Sequence, residues 1–460
     1  MAQRGQWLSV AERQDLGRQA RAKAPRVDHG DWTPAPGRRD PVEILSEQDS
    51  RRVDWLVPIR HGRMAASAFA FYRGAAAVMA SDLANTPDSG LWVQCGGDAH
   101  LANFGAYASP SRALVFDQND FDETLPGPWE WDVKRLVTSV VVAGEHLGFD
   151  PDSNRDIAEH AARHYRKAMA DYASRHVLDV WYDHFDVAEF ERDTTHAELA
   201  QRIATFAAKA RSRTSLQALR KLTTGSGENL RIRHQPPLLV PLSDLPSDVD
   251  GQGVMQAVQV ALEQYAESTG DHIQVLLSRF RMQDVALKVV GVGSVGTRCW
   301  VVLMAGRDDQ DPLFLQVKEA MPSVLEDHLL PSVYTHQGER VVQGQRLAQA
   351  QSDIFLGWTT GLQGRHFYVR QLRDWKGSVD LEQGTAKELR FYATLCARTL
   401  ARGHARSGDP VAIRAYLGHS NCFDAAIAAF ALRYAAQNRL DYEDFLAAID
   451  HGTITAVDAI

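Results

Sequence analysis

The sequence predicts an α+β protein in which a large helical part encloses a small antiparallel sheet, and three observations predict it. Apolar residues recur at three and four through "RMAASAFAFYRGAAAVMASDLA", and again in long patterns from "WEWDVKRLVTSVVVAGEHLGF" to about residue 220; that is helical spacing. "DVALKVVGVGSVGTRCWVVLMAG" and "PLFLQVKEA" are instead β-branched and aromatic runs, broken by glycines and by the charged turn "RDDQDP", the composition of short strands joined by turns. Helical spacing returns near the end in "FDAAIAAFALRYAAQ".

Residues 1–60, rich in Arg, Asp and Pro ("HGDWTPAPGRRDP"), predict an irregular arm over the body. Residues 61–270 predict a helical part with two strands, "GLWVQCGG" and "ALVFDQNDF", near its start. Residues 271–375 carry the small sheet, interrupted by the helical "GERVVQGQRLAQAQ" before a further strand, "RHFYVRQL". Residues 376–460 return to helix. No internal repeat or low-complexity segment breaks this order.

With 460 residues, 45% hydrophobic and 23% charged, the chain can bury a sizeable core in two or three packed units. Its net charge of -8 argues against a general nucleic-acid or anionic-membrane binder, which carries a basic face. The start, "MAQRGQWLSVAERQDLGRQARAKAPR", lacks a continuous apolar stretch, and no later segment has 18 apolar residues in a row, so neither a signal peptide nor a membrane span is expected. A cytoplasmic location follows as the expectation. Cys95, Cys299, Cys396 and Cys422 form no CxxC pair, which predicts buried, reduced thiols. Nothing specifies an oligomeric state.

Chemistry concentrates in two places. "CGGDAHLANFGAY" and "LVFDQNDFDETLPGPWEWD" put Asp98, His100 and Asn103, then Asp117, Asp120, Asp122 and Asp132, on turns beside apolar strands. Short Asn and Asp side chains suit both tight turns and hard-cation coordination. The second place is the glycine turn, with Gly291, Gly293, Ser294 and Gly296 in "VVGVGSVGTRC". A dinucleotide fold would continue into a helix, with an acidic residue about 20 positions on. Here "RCWVVLM" follows, and Lys318 stands 22 positions past Gly296. A strand, glycine turn, strand hairpin fits better, and its backbone N–H groups can close over phosphate oxygens. Lys318 sits on an apolar strand, where an ammonium needs an anionic partner or an escape to water.

Glycine loop, strand lysine, then a helix carrying Glu339 in "HQGERVV" resembles the order of the phosphate-covering loop, phosphate-binding lysine and ion-pair glutamate of protein kinases. Glu319 and Glu326 are nearby alternatives for that glutamate. Asp98, with Asn103 five residues on, is similar to the Asp and Asn of a kinase catalytic loop. "GGDAHLANFG" followed by "FDQNDFDETLPGPWEWD" resembles the GDxHxxN, DFD and D signature of aminoglycoside phosphotransferases and choline-kinase-like enzymes. The chain resembles more closely still an uncharacterised bacterial domain-of-unknown-function family assigned to that kinase-like superfamily.

The resemblance implies a protein-kinase-like two-lobed fold, with the small sheet lobe binding nucleotide and the helical lobe carrying the catalytic loop. It implies Asp98 as catalytic base with His100 beside it, Asn103 and Asp120 as Mg²⁺ ligands, Asp122 as a second metal contact, and Asp132 as a structural aspartate. Asp117, which also ends an apolar strand, competes for the metal role. Gly291, Gly293, Ser294, Gly296, Lys318 and Glu339 would hold ATP, and Arg370 to Asp374 would form the hinge beside adenine. In kinases the glycine loop and lysine precede the catalytic loop, whereas here Gly291 follows Asp98 by 193 residues. The resemblance therefore implies circular permutation, which surface termini tolerate.

Two rival motifs are weaker. In "LARGHARSGDP" the residue five beyond Asp409 is Arg414 rather than Asn, so His404 and Asp409 read better as a helix end entering a glycine turn than as part of the cleft. His160 and His164 have helical i, i+4 spacing without HExxH or a third ligand, which favours a solvated helix face over zinc. The expected function is an ATP- and Mg²⁺-dependent phosphotransferase acting on a hydroxyl of a small molecule or, less favoured, a protein. The alternatives are AMP transfer on the same constellation, or an inactive nucleotide-binding module; a two-metal phosphoesterase on "GDAH" lacks the further His and Asn clusters it needs. No motif identifies the acceptor.

Overall fold

A computed structural model describes residues 7–193, 197–244, 251–289, 291, 293, 295–372, 374–381 and 383–457. The protein is α+β, with several antiparallel sheets set among helices. Its main sheet has six strands in the spatial order Gly357–Thr360, His366–Gln371, Pro312–Glu319, Cys299–Ala305, Arg281–Lys288 and Leu239–Pro241, each antiparallel to its neighbours. The glycine turn is the hairpin connection between Arg281–Lys288 and Cys299–Ala305. The sheet is larger than its sequence signals: Leu239–Pro241 is an edge strand from before residue 271, and the short Gly357–Thr360 carries only four residues.

Both faces of this sheet are covered, as period-two alternation of apolar residues on both sides requires. Val285, Val302, Leu315, Val317 and Val369 pack under the helices Gly251–Glu267 and Asp271–Leu277. On the other face, Ala286, Val301, Leu303 and Phe314 meet the helix Ser215–Leu222, and Tyr368 meets the helix Gln337–Ala348. The main-sheet part thus recruits residues 215–270 from what reads as helical body.

The largest core joins four helices, Trp129–His146, Pro151–Tyr172, Ala386–Ser407 and Cys422–Asp450. Trp129 through Gly144 are all buried. A helix buried on every side is apolar all round unless its polar residues are paired, so the buried Glu130, Asp132, Lys134 and Arg135 need partners within the core. Two small ladders sit on this body: Trp92–Cys95 pairs with Leu125–Pro128, and Phe104–Ala108 pairs with Leu114–Gln118.

The arm is not irregular. Ser9 and Glu12 form a capping box that starts the helix Val10–Lys23, and Asp40 caps the helix Pro41–Asp49. The first helix buries only Gly17 and Ala20, too thin an apolar stripe for periodicity to register, although the Ser-x-x-Glu start was a readable signal. It docks on Pro410–Leu417, where Arg21 Nε donates to the Tyr416 carbonyl at 2.8 Å.

Sheet and helical body are stitched together where the chain leaves the sheet. Ala106 and Gly377 exchange two backbone hydrogen bonds of 2.8 Å, and Ala108 N donates to the Asp374 carbonyl. A Cβ on Gly105 would stand 2.5 Å from the Gly377 carbonyl oxygen, so glycine permits this approach. The four cysteines are unpaired thiols. Among the described residues no helix is long and apolar enough to cross a membrane.

Candidate functional site

The two sequence regions that carry chemistry meet. A cleft of about 130 Å³ is lined by Asp98, His100, Asn103, Asp120 and Asp122 from the helical side, and by Gly291, Gly293 and Lys318 from the sheet. Gly296, at φ +93°, lies beyond this lining and holds Val53 N through its carbonyl. Ser294 lies outside the described residues. Asp117 is elsewhere: it is 3% exposed and accepts from Arg402 Nη2 at 2.5 Å, a buried ion pair under the cleft floor. Its strand position suited a ligand, but its carboxylate is taken up by Arg402 and by the Gln118 amide at 2.8 Å.

Asp98 is positioned from behind. The preceding Gly97 has φ +81°, and a Cβ there would lie 2.1 Å from the Glu123 carbonyl oxygen, so only glycine allows this turn. Asp132 Oδ2 and Oδ1 accept from the Gly96 and Gly97 amides at 2.7 and 3.0 Å. His404 Nε2 lies 3.1 Å from Asp132 Oδ2, and its Nδ1 lies 2.8 Å from the Tyr165 hydroxyl. His404 is therefore a buried support for the aspartate, not a cleft residue, while Asp409 caps the helix Pro410–Leu417. His160 and His164 are half-buried on their helix face, and His160 Nε2 lies 2.9 Å from the Thr394 hydroxyl of a neighbouring helix.

Arg135 Nε donates to Asp98 Oδ1 at 2.8 Å, while its Nη2 donates to the Tyr72 carbonyl at 2.7 Å and its guanidinium lies over the Tyr72 ring. Burial raises the Asp98 carboxyl above the ordinary range, against the pull of Arg135. The other oxygen, Oδ2, lies 3.6 Å from His100 Nε2. Burial and the charges of Arg135 and Arg73 push His100 far below its ordinary pKa, so the ring is neutral; its Nδ1 is buried without a hydrogen-bond partner among the described residues. Asn103 Nδ2 donates to the Asp98 carbonyl at 2.8 Å. With its amide nitrogen so engaged, the atom Asn103 has for the cleft is its carbonyl oxygen, an acceptor.

On the sheet side Lys318 is 2% exposed and makes a direct ion pair with Asp122, with Asp120 Oδ2 at 3.9 Å. Tyr368, the cross-strand neighbour of Lys318, donates its hydroxyl to Asp122 Oδ1 at 2.7 Å. Burial pushes the Asp122 carboxyl up, but Lys318 and Tyr368 outweigh it and hold it below its ordinary range. Asp120 goes the other way, raised by burial and by Asp122 despite Lys318. The lysine ammonium is held charged, burial being outweighed by the two aspartates. Glu339 is not its partner: Glu339 lies in the first turn of Gln337–Ala348, whose neighbouring Arg340 instead reaches the carbonyls of Asp122, Thr124 and Met321 at 2.6 to 2.8 Å. The helix ties down the acidic turn through a guanidinium rather than holding the lysine through a carboxylate.

Arg370, expected at the adenine hinge, lines the cleft, and several further cleft residues escaped the sequence reading. Gln316 and Arg370 are cross-strand partners joined by a 2.9 Å hydrogen bond, and Arg370 also donates to the Asn119 carbonyl. Both share a strand face with Lys318 or Tyr368 by period-two counting, so alternation along "LFLQVKEA" and "HFYVRQL" was the available signal. Arg135 stands three residues past Asp132, on the same face of its helix. Arg52, Arg73 and Glu123 complete the wall and had no signal. Arg52 Nη1 donates to the Val295 carbonyl at 2.5 Å, fastening the glycine hairpin to the arm, and burial with a neighbouring Arg60 lowers its pKa to about 9.

Among the described residues no group of three or more His, Cys, Asp or Glu is arranged to hold a metal ion. Among the lining residues Asp120, Asp122 and the Asn103 amide offer hard oxygens, with the Asp98 and Glu123 carboxylates beside them, a set that suits an ion completing its shell with phosphate and water. No curated protein and no solved structure matches the chain. A family model described as "Uncharacterized protein conserved in bacteria (DUF2252)" matches residues 52–448, and the chain belongs to that family.

Proposed function

We propose that the protein is an ATP- and Mg²⁺-dependent phosphotransferase with a circularly permuted, kinase-like two-lobed architecture, acting on a hydroxyl of a small-molecule acceptor. One observation supports this above the others: Lys318 and Asp122, 196 residues apart, are ion-paired in a cleft also lined by Asp98, Asn103, Gly291 and Gly293. A simple acidic hairpin has no need of a buried lysine from a distant sheet, nor of a glycine hairpin above it.

Catalysis on this reading is positioning and charge stabilisation. Lys318 and the glycine-hairpin amides bind the nucleotide phosphates, Lys318 exchanging Asp122 for a phosphate oxygen. Asp98 Oδ2 accepts the acceptor hydroxyl proton as that oxygen bonds to the γ-phosphorus and the bond to the bridging oxygen of ADP breaks. Arg135 keeps the Asp98 carboxylate in place throughout. Asp120 and the Asn103 carbonyl would hold magnesium, which neutralises charge on the transferring phosphate. The cleft's volume falls below the roughly 300 Å³ at which ordinary ligand pockets begin, so nucleotide binding on this reading requires the cleft to widen.

Incubation with α- and γ-labelled ATP across a panel of hydroxyl acceptors tests the reading. Transfer of the γ label alone is the expected result. Transfer of the α label would replace it with AMP transfer, and saturable ATP binding without turnover on any acceptor would leave a nucleotide-binding module.

A further inference from the structure

A second cavity, of about 480 Å³, lies on the opposite face of the sheet from the cleft. Its floor is the outward row Leu287, Trp300, Val317 and Val369, and its roof is Val258 and Leu262 of the helix Gly251–Glu267. Val317 faces this cavity while Lys318, the next residue, faces the cleft. The half-exposed Trp55 stands at the mouth.

A well-packed helix on a sheet leaves no such space, since interiors are filled to crystal density. The volume is that of ordinary small-molecule pockets, roughly 300–1,000 Å³, and so is the lining, apolar with a few polar groups at one end. The charged groups among them are Arg298 and Arg365, beside Thr359 and Gln363, and Arg365 Nη2 also donates to Gln363 Oε1 at 3.3 Å. Both arginines donate to one buried carboxylate, Glu319, at 3.3 and 3.0 Å, so the trio carries a net positive charge. The two guanidinium side chains keep 29% and 35% exposure and have five N–H donors each, more than Glu319 absorbs.

We infer that this cavity is a binding site for an anionic amphiphile, a medium-chain carboxylate being its simplest form, with the chain between helix and sheet and the carboxylate on Arg298 and Arg365. The assignment is independent of the proposed phosphotransfer, because none of these side chains lines the cleft. An apolar body buried against Trp300 and Val317 supplies affinity by area, and the guanidinium pair selects an acidic over a neutral headgroup.

Isothermal titration of the full chain with monomeric dodecanoate and with dodecanol tests it. Saturable 1:1 dodecanoate binding is expected, with dodecanol at least about tenfold weaker, one charge-assisted hydrogen bond's worth. Ala261→Trp, which fills the space under the helix, should abolish binding. Arg365→Gln, which leaves Glu319 its second partner Arg298, should bring dodecanoate down to the dodecanol level in a protein that still unfolds cooperatively, so the inference stays testable if the tryptophan variant does not fold. Absence of saturable binding, equal affinity for the two probes, or dodecanoate binding unchanged in Arg365→Gln would overturn it.

Discussion

The two sides of the cleft hold their charged groups in opposite ways. On the helical side Asp98 is secured by Arg135, Asn103 and the glycine turn that Asp132 anchors, with Oδ2 between Asn103 Nδ2 at 3.5 Å and His100 Nε2 at 3.6 Å. On the sheet side Lys318 is neutralised within the cleft by Asp122 and Asp120, the groups that would exchange partners if phosphate bound as proposed. On that reading one wall holds its carboxylate fixed and the other exchanges its ion pair, so substitutions on the two walls should fail differently.

The largest effect expected is on turnover. Asp98→Asn removes the proton acceptor but keeps an oxygen for Arg135, so turnover should fall about 10²- to 10⁴-fold while ATP affinity is retained; equal loss of both in steady-state kinetics and titration would break the contrast. Lys318→Met should instead strike stability and nucleotide binding together. It strands two carboxylates, a loss of about 3–5 kcal/mol for a fully buried pair, and the lower end applies because Asp120 and Asp122 side chains keep 28% and 26% exposure. Denaturant midpoints measure it.

His404→Ala should cost about 1–3 kcal/mol by leaving Asp132 and Tyr165 short of a buried partner. Loosening the Gly96–Gly97 turn would lower turnover about tenfold through misplacement of Asp98, with the Michaelis constant for ATP unchanged. A matching rise in that constant would place His404's influence on the sheet side.

The smallest effect is a pH dependence of the helical side's support. Glu130, 0% exposed, is raised to about 7 mainly by burial, against hydrogen bonds from Ser89. Its folded pKa exceeds the unfolded value, so the folded state binds the extra proton and stability falls as pH rises from about 4.5 through about 7. Relative to Glu130→Gln, the wild type should lose melting temperature across that window and hold a constant difference above it; parallel profiles for the two proteins would contradict the burial argument.

Much of the helical side was legible because its ligands sit in one short stretch: Asp98, His100 and Asn103 span six positions, and Asp120 and Asp122 follow on the next turn. The glycine hairpin and Lys318 were legible because β-branched residues after the glycines exclude a helix. Partners across sequence were not. Nothing in "WEWDVKRL" says that Asp132 turns to Gly96 while Arg135 turns to Asp98, and Glu339 lost its expected place because the buried residue of that helix turn is Arg340. The fold failed where packing, not periodicity, decides: the helix Val10–Lys23 buries two small residues, and Leu239–Pro241 is too short to alternate. Residues 215–270 read as helical part, but their attachment to the sheet depends on which core accepts them.

The central claim is that a glycine hairpin and an acidic turn from distant parts of the chain receive one nucleotide. Amide hydrogen exchange of the full chain, with and without ATP and magnesium, tests it most directly, since bound ligand protects the backbone it contacts. Protection is expected to rise together at Gly291–Gly296 and at Asp120–Glu123, with the same nucleotide concentration dependence. Protection at only one of these segments, or at neither under saturating nucleotide, would contradict it.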